Sequence, residues 1–139
     1  MTVFNNSTPG RTPLQTMARV VFWVLATIIT ALALYPRLTL PEPAVTEGTT
    51  AYYNHVFAFT TLIVVGAIGW GLRRRLVGGV AVGAIALELA QTLSPGRETS
   101  LVDLLASLGG VALGCAVAYV AGLALRRIDV SATPAGPKI

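Results

Sequence analysis

The 139-residue chain has one cysteine, one histidine and six acidic residues, and only 12% of its residues are Asp, Glu, Lys or Arg. Soluble globular domains carry about twice that charged share. A lone Cys115 inside an apolar run excludes an internal disulfide framework and a cysteine-based metal motif. Long polar stretches are also missing, so no sizeable soluble domain fits beside the apolar segments. A net charge of +4 invites a nucleic-acid reading, but the arginines sit at the ends of apolar runs rather than along an amphipathic face. The basicity is therefore read as topological, with no nucleic-acid partner.

What is present is hydrophobic sequence, 54% of the chain. It falls into four runs, Met17 to Tyr35, Tyr52 to Leu72, Leu76 to Leu93 and Leu101 to Leu125. A helix rising about 1.5 Å per residue needs roughly 20 residues to cross a hydrocarbon core of about 30 Å, and each run is near that length or beyond it. The fold class expected is all-α: a polytopic membrane protein built as a four-helix transmembrane bundle over residues 17–125. The segments 1–16 and 126–139 are expected to be loosely ordered tails, because they lack a periodic apolar pattern. Arg19, the apolar run after it and Ala31-Leu32-Ala33 also look like a secretory signal, but the run continues to Tyr35, which favours a retained helix.

Arginine and lysine set the expected orientation. Arg11, Arg19, the triplet Arg73, Arg74 and Arg75, and then Arg126, Arg127 and Lys138 lie in alternate segments, against only Arg37 and Arg97 in the others. The positive-inside rule then places both termini in the cytoplasm and the loops 36–51 and 94–100 outside. Trp70, Tyr35, Tyr52 and Tyr53 fall where interfacial aromatic belts belong.

Small residues indicate how the helices pack, since lipid supplies no apolar driving force between them and close backbone approach becomes decisive. Ala106, Gly110, Gly114 and Ala118 recur every four residues on the last helix, and Gly79 and Gly83 form a similar stripe on the third. The short loop between these helices suggests an antiparallel hairpin packed stripe to stripe. Gly66 and Gly69 give the second helix a comparable face.

Ionisable side chains in membrane helices are costly and face a protein interior or a wet cavity. His55, Glu88 and Asp103 are such residues, and the inferred topology puts all three near the outer surface. Gln91 shares a helical face with Glu88, Ser107 extends the Asp103 face inward, and Arg97 stands in the loop between them. Structural roles compete at each position. Ser100 with Asp103 fits a capping box, Arg97 suits a lipid phosphate or Glu98, and Ser107 can bond within its own helix. Glu88 is the hardest to explain as structural, because a carboxylate so far inside needs a cation, several donors or a proton.

The residues His55-Val56-Phe57, Glu88-Leu89-Ala90-Gln91, Pro95-Gly96-Arg97, Ser100, Asp103 and Gly110, in that order, resemble the VanZ-like membrane proteins over about Tyr53 to Gly114. The resemblance implies a small multi-pass protein of the bacterial cytoplasmic membrane, with an envelope or glycopeptide-antibiotic-related role. Typical members carry an Asp-Lys pair shortly before the histidine, where this chain has Tyr52, Tyr53 and Asn54, and often Asn where Ser107 stands. The first difference removes a carboxylate and a cation from the outer cluster.

The leading functional expectation is a binding module in which His55, Glu88, Gln91, Arg97, Asp103 and Ser107 form an outer-leaflet pocket for a lipid headgroup or lipid-linked envelope precursor, with Arg97 as the anionic-group anchor. The alternative is a non-catalytic accessory subunit of a larger membrane complex. Catalysis has less support, since Ser94, Ser100 and Ser107 lie in no nucleophile-elbow sequence. Neither a metal nor a cofactor is expected, because no ligand-spacing motif is present.

Overall fold

The computed structural model describes residues 12–34, 49–91 and 101–132. Arg97 and most of both tails and of the two loops assigned to the outer side lie outside the described residues. The described chain is all-helical: α1 Pro13–Leu34, α2 Thr49–Trp70, α3 Arg74–Gln91 and α4 Leu101–Ala132.

Helix α1 starts four residues before the apolar run, for a local reason. The Gln15 N–H donates to Thr12 Oγ1 at 3.3 Å, and the Thr12 N–H donates to Gln15 Oε1 at 3.3 Å. This reciprocal capping box satisfies two backbone donors at the helix start, and Pro13 occupies the first helical position, where its missing N–H costs nothing. At its far end α2 closes on Gly71, whose φ of 77° is left-handed and whose N–H donates to Ala67 O at 2.8 Å. Glycine takes that conformation without a Cβ penalty. Two residues later the Arg73 carbonyl accepts from Leu76 N and Val77 N at 3.0 and 3.1 Å, which starts α3.

Helix α2 runs against α1 in the opposite direction. Arg19 Nε, near the start of α1, donates to Gly69 O at 2.8 Å, and its guanidinium lies 5.1 Å from the centroid of the Trp70 ring. Phe22 meets the same indole edge to face, with ring centroids 5.2 Å apart. Against α4, by contrast, α2 runs in parallel: His55 pairs with Ser107, Thr60 with Gly110, and Ile63 with Gly114. Helices α2 and α3 each touch all the others, while α1 and α4 do not touch among the described residues. The cross-section is thus a rhombus with α2 and α3 on its short diagonal. Its core joins Phe22, Phe59, Leu62, Ile63, Val80, Ala84 and Val111, with Ile63 fully enclosed.

The stripe-to-stripe hairpin of α3 and α4 is corrected by this arrangement. Gly110 and Gly114 are buried against Val56, Phe59, Thr60 and Ile63 of α2, whereas among the described residues nothing would meet a Cβ on Gly79 or Gly83 within 4 Å. Ala106 and Ala118, at the ends of the α4 stripe, are half-buried. Instead, α3 turns Val80, Ala84, Glu88 and Gln91 inward. The physical reason is competition for one face: the branched and polar side chains fill the interior, leaving the glycines on the outer side.

Three helical segments, Pro13–Leu34, Tyr52–Trp70 and Leu101–Leu125, are long and apolar enough to cross a membrane. At most 28% of any of these windows is buried within the chain, so their apolar faces point outward, as contact with a bilayer requires. The fourth, α3, has 18 residues and includes Arg74, Arg75 and Glu88, which weakens its apolar character.

Candidate polar site at one end of the bundle

The ends of the four helices sort the polar residues into two layers. Arg19 and Gly69 mark one level, and Ala33 and His55 each lie fourteen residues away from that pair along antiparallel helices. A rise of about 1.5 Å per residue separates the layers by roughly 21 Å. His55, Ser107, Asp103, Glu88 and Gln91 belong to the layer where α1 and α3 end and α2 and α4 begin.

Side-chain hydrogen bonds link helices within that layer. His55 Nδ1 and Ser107 Oγ share a hydrogen bond of 3.1 Å between α2 and α4. With the proton on Nδ1 the histidine donates, and with the other tautomer the serine hydroxyl does. Gln91 Nε2 donates to Ala33 O at 3.2 Å, satisfying one of the last carbonyls of α1 from a neighbouring helix. Ser107 and Gln91 are each 3% exposed and Glu88 is 9% exposed, so these polar groups lie in the packed interior.

Asp103 stands four residues before Ser107, on the same face of α4. A carboxylate in the first turn of a helix suits the positive end of the helix dipole. Among the described residues its Oδ1 is nevertheless buried without a hydrogen-bond partner. Buried polar atoms are almost always paired, so an acceptor left open one turn of α4 from Ser107 marks a place where a donor belongs. Ser100, the expected capping partner, and Arg97, the expected anchor, both lie outside the described residues.

Of the residues expected to share this end, His55 and Ser107 are joined between α2 and α4, and Gln91 is joined to an α1 carbonyl. Among the described residues His55, Glu88 and Asp103 do not assemble into a three-residue metal-binding group. Two connections were not anticipated. Thr60 Oγ1 donates to Gly110 O at 3.0 Å, and Arg19 donates to Gly69 O. The first had a signal, since Val56, Phe59, Thr60 and Ile63 form one helical stripe whose threonine can reach a carbonyl exposed by glycine.

No family model, curated protein or solved structure matches the chain.

Proposed function

We propose that the chain is a four-span binding module of the bacterial cytoplasmic membrane, with both termini inside, whose polar layer takes the headgroup of an outer-leaflet lipid or lipid-linked envelope precursor. The observation that carries this reading is the open Asp103 Oδ1 one turn of α4 from the Ser107 that hydrogen-bonds His55. A headgroup bearing hydroxyl, amide or ammonium donors satisfies that acceptor, and Arg97, six residues before Asp103 in the sequence, is the candidate fork for its phosphate or carboxylate. Glu88 and Gln91, buried at the same end of the bundle on α3, complete the proposed site. Three sets of residues support the wider reading. The biased distribution of arginine supports the topology, the 18-residue length of α3 suits a fourth span, and the ordered set from His55 to Gly110 supports membership of the VanZ-like proteins.

The test is thermal unfolding of the purified full chain in nanodiscs of phosphatidylcholine, alone or with phosphatidylethanolamine as a donor-bearing headgroup. A ligand that binds the folded form raises its stability. Phosphatidylethanolamine should stabilise the wild type and lose that effect in Asp103→Ala. An equal shift in both proteins removes the binding role from Asp103.

A second reading, an accessory subunit in a larger membrane complex, is favoured by one observation. Gly79 and Gly83 present a small-residue face to open space, which admits close approach of a foreign helix. Stoichiometric co-purification of a partner, abolished by Gly83→Leu, would select it.

A further inference from the structure

The opposite end of the bundle carries an unbalanced charge. Arg73, Arg74 and Arg75 are all exposed, in and just before the first turn of α3, and that turn contains no acidic residue. A helix N-terminus is already the positive end of the dipole, so three cations there are poorly placed unless an anion accompanies them. The nearby Arg19 is committed elsewhere, to Gly69 O and the Trp70 face. The triplet also sits on a fixed backbone. Gly71 caps α2 through Ala67 O, and the Arg73 carbonyl is held by Leu76 N and Val77 N. Of the six acids in the chain, Glu42, Glu47, Glu88, Glu98 and Asp103 belong to the other end or its loops in the proposed topology, leaving Asp129 on this side.

We infer that this arginine turn is a docking site for the phosphate of an anionic phospholipid in the inner leaflet. The inference rests on the membrane orientation proposed above, but not on the outer polar layer. A lipid is favoured over an acidic protein because the cations directly adjoin apolar surface. Leu72, beside them, is exposed, and Trp70 packs at the same end as an interfacial ring. Guanidinium groups bind phosphate oxygens through paired N–H donors, whereas an ammonium acts as a point charge. Orientation by the positive-inside rule is served equally by lysine, so replacing arginine by lysine separates lipid recognition from topology.

The experiment uses the full-length protein in nanodiscs of phosphatidylcholine doped with phosphatidylmethanol, an anionic diester whose headgroup has no donor for Asp103. The quantity read is the phosphatidylmethanol retained per protein after detergent exchange. Wild type should enrich this lipid over phosphatidylcholine. Changing all three arginines to glutamine should reduce its apparent affinity on the order of 100-fold, about fivefold for each charge removed. The triple lysine variant should insert normally and still lose several-fold, while Asp103→Ala should match wild type. Equal retention by wild type and either triple variant overturns the inference. Binding of soluble polyglutamate in detergent without enrichment of phosphatidylmethanol also overturns it, in favour of an acidic protein partner. Failure of the Asp103 experiment leaves this result untouched, since the two probes differ in the donor group.

Discussion

Gly110 packs so closely against Val56 that a Cβ added to it would stand 2.5 Å from the Val56 carbonyl oxygen. Four residues on, a Cβ on Gly114 would lie 2.9 Å from Thr60 O. These glycines bring the α2 and α4 backbones together and allow Thr60 to reach Gly110 O. Gly110→Ala and Gly114→Ala should each destabilise the purified protein by about 1 to 3 kcal/mol, the usual cost of overpacking. Gly79→Ala and Gly83→Ala, with open space around them, should lie within about 0.5 kcal/mol of wild type. Thermal unfolding of the four variants in one detergent checks the contrast. If all four behave alike, the parallel α2–α4 contact is not where the stability resides.

This contact also shows what the sequence could convey. Four apolar runs placed seven of the eight helix ends to within four residues, because run length and period are local properties of the chain, but α4 continues from Leu125 to Ala132, into the segment expected to be a loose tail. The early start of α1 was legible in Thr12, Pro13 and Gln15, but the polar composition of the tail masked it. Partner choice was a different matter. A stripe such as Gly110 and Gly114 says that some backbone comes close, without saying whose. The loop between α3 and α4 suggested the adjacent helix, while Val56, Phe59, Thr60 and Ile63 supplied the better-fitting surface. At the polar layer, spacing put His55, Glu88 and Asp103 near one level with Ser107 a turn further in, and only the helix arrangement joined His55 to Ser107 across an interface.

The His55–Ser107 hydrogen bond predicts an energetic coupling. Ser107 is almost completely buried, so removing its hydroxyl leaves His55 Nδ1 without this partner. Ser107→Ala and His55→Ala should each cost about 1 to 3 kcal/mol, the penalty for an unmade buried hydrogen bond. The double variant should cost less than the sum, with a coupling of roughly 0.5 to 1.5 kcal/mol. Additive losses in a thermal double-mutant cycle would show that the two side chains act independently.

Gln91 predicts a one-sided effect. Its amide donates to Ala33 O in a buried position, and methionine keeps a similar length while removing the donor. Gln91→Met should therefore lower stability by about 1 to 3 kcal/mol, because a buried terminal carbonyl of α1 loses its partner. Hydrogen exchange should quicken in the last turn of α1 more than at the Arg19 end. Uniform loss of protection along α1 would assign Gln91 a general packing role.

Orientation can be read independently of any ligand. In a Cys115→Ser background, Thr46→Cys lies in the first loop, which the arginine distribution places outside, and Leu72→Cys lies beside the arginine triplet, which it places inside. A membrane-impermeant maleimide added to intact cells should label Thr46→Cys and leave Leu72→Cys unmodified until the membrane is opened. The reverse pattern would invert the bundle and place the arginine turn, rather than the His55 layer, at the outer surface. Labelling of both positions in intact cells would mean that α2 does not cross the bilayer, although Tyr52–Trp70 is long and apolar enough to do so. The two-position experiment thus decides whether the open Asp103 acceptor and the arginine triplet face opposite leaflets, which is the geometric condition for their serving two different lipids.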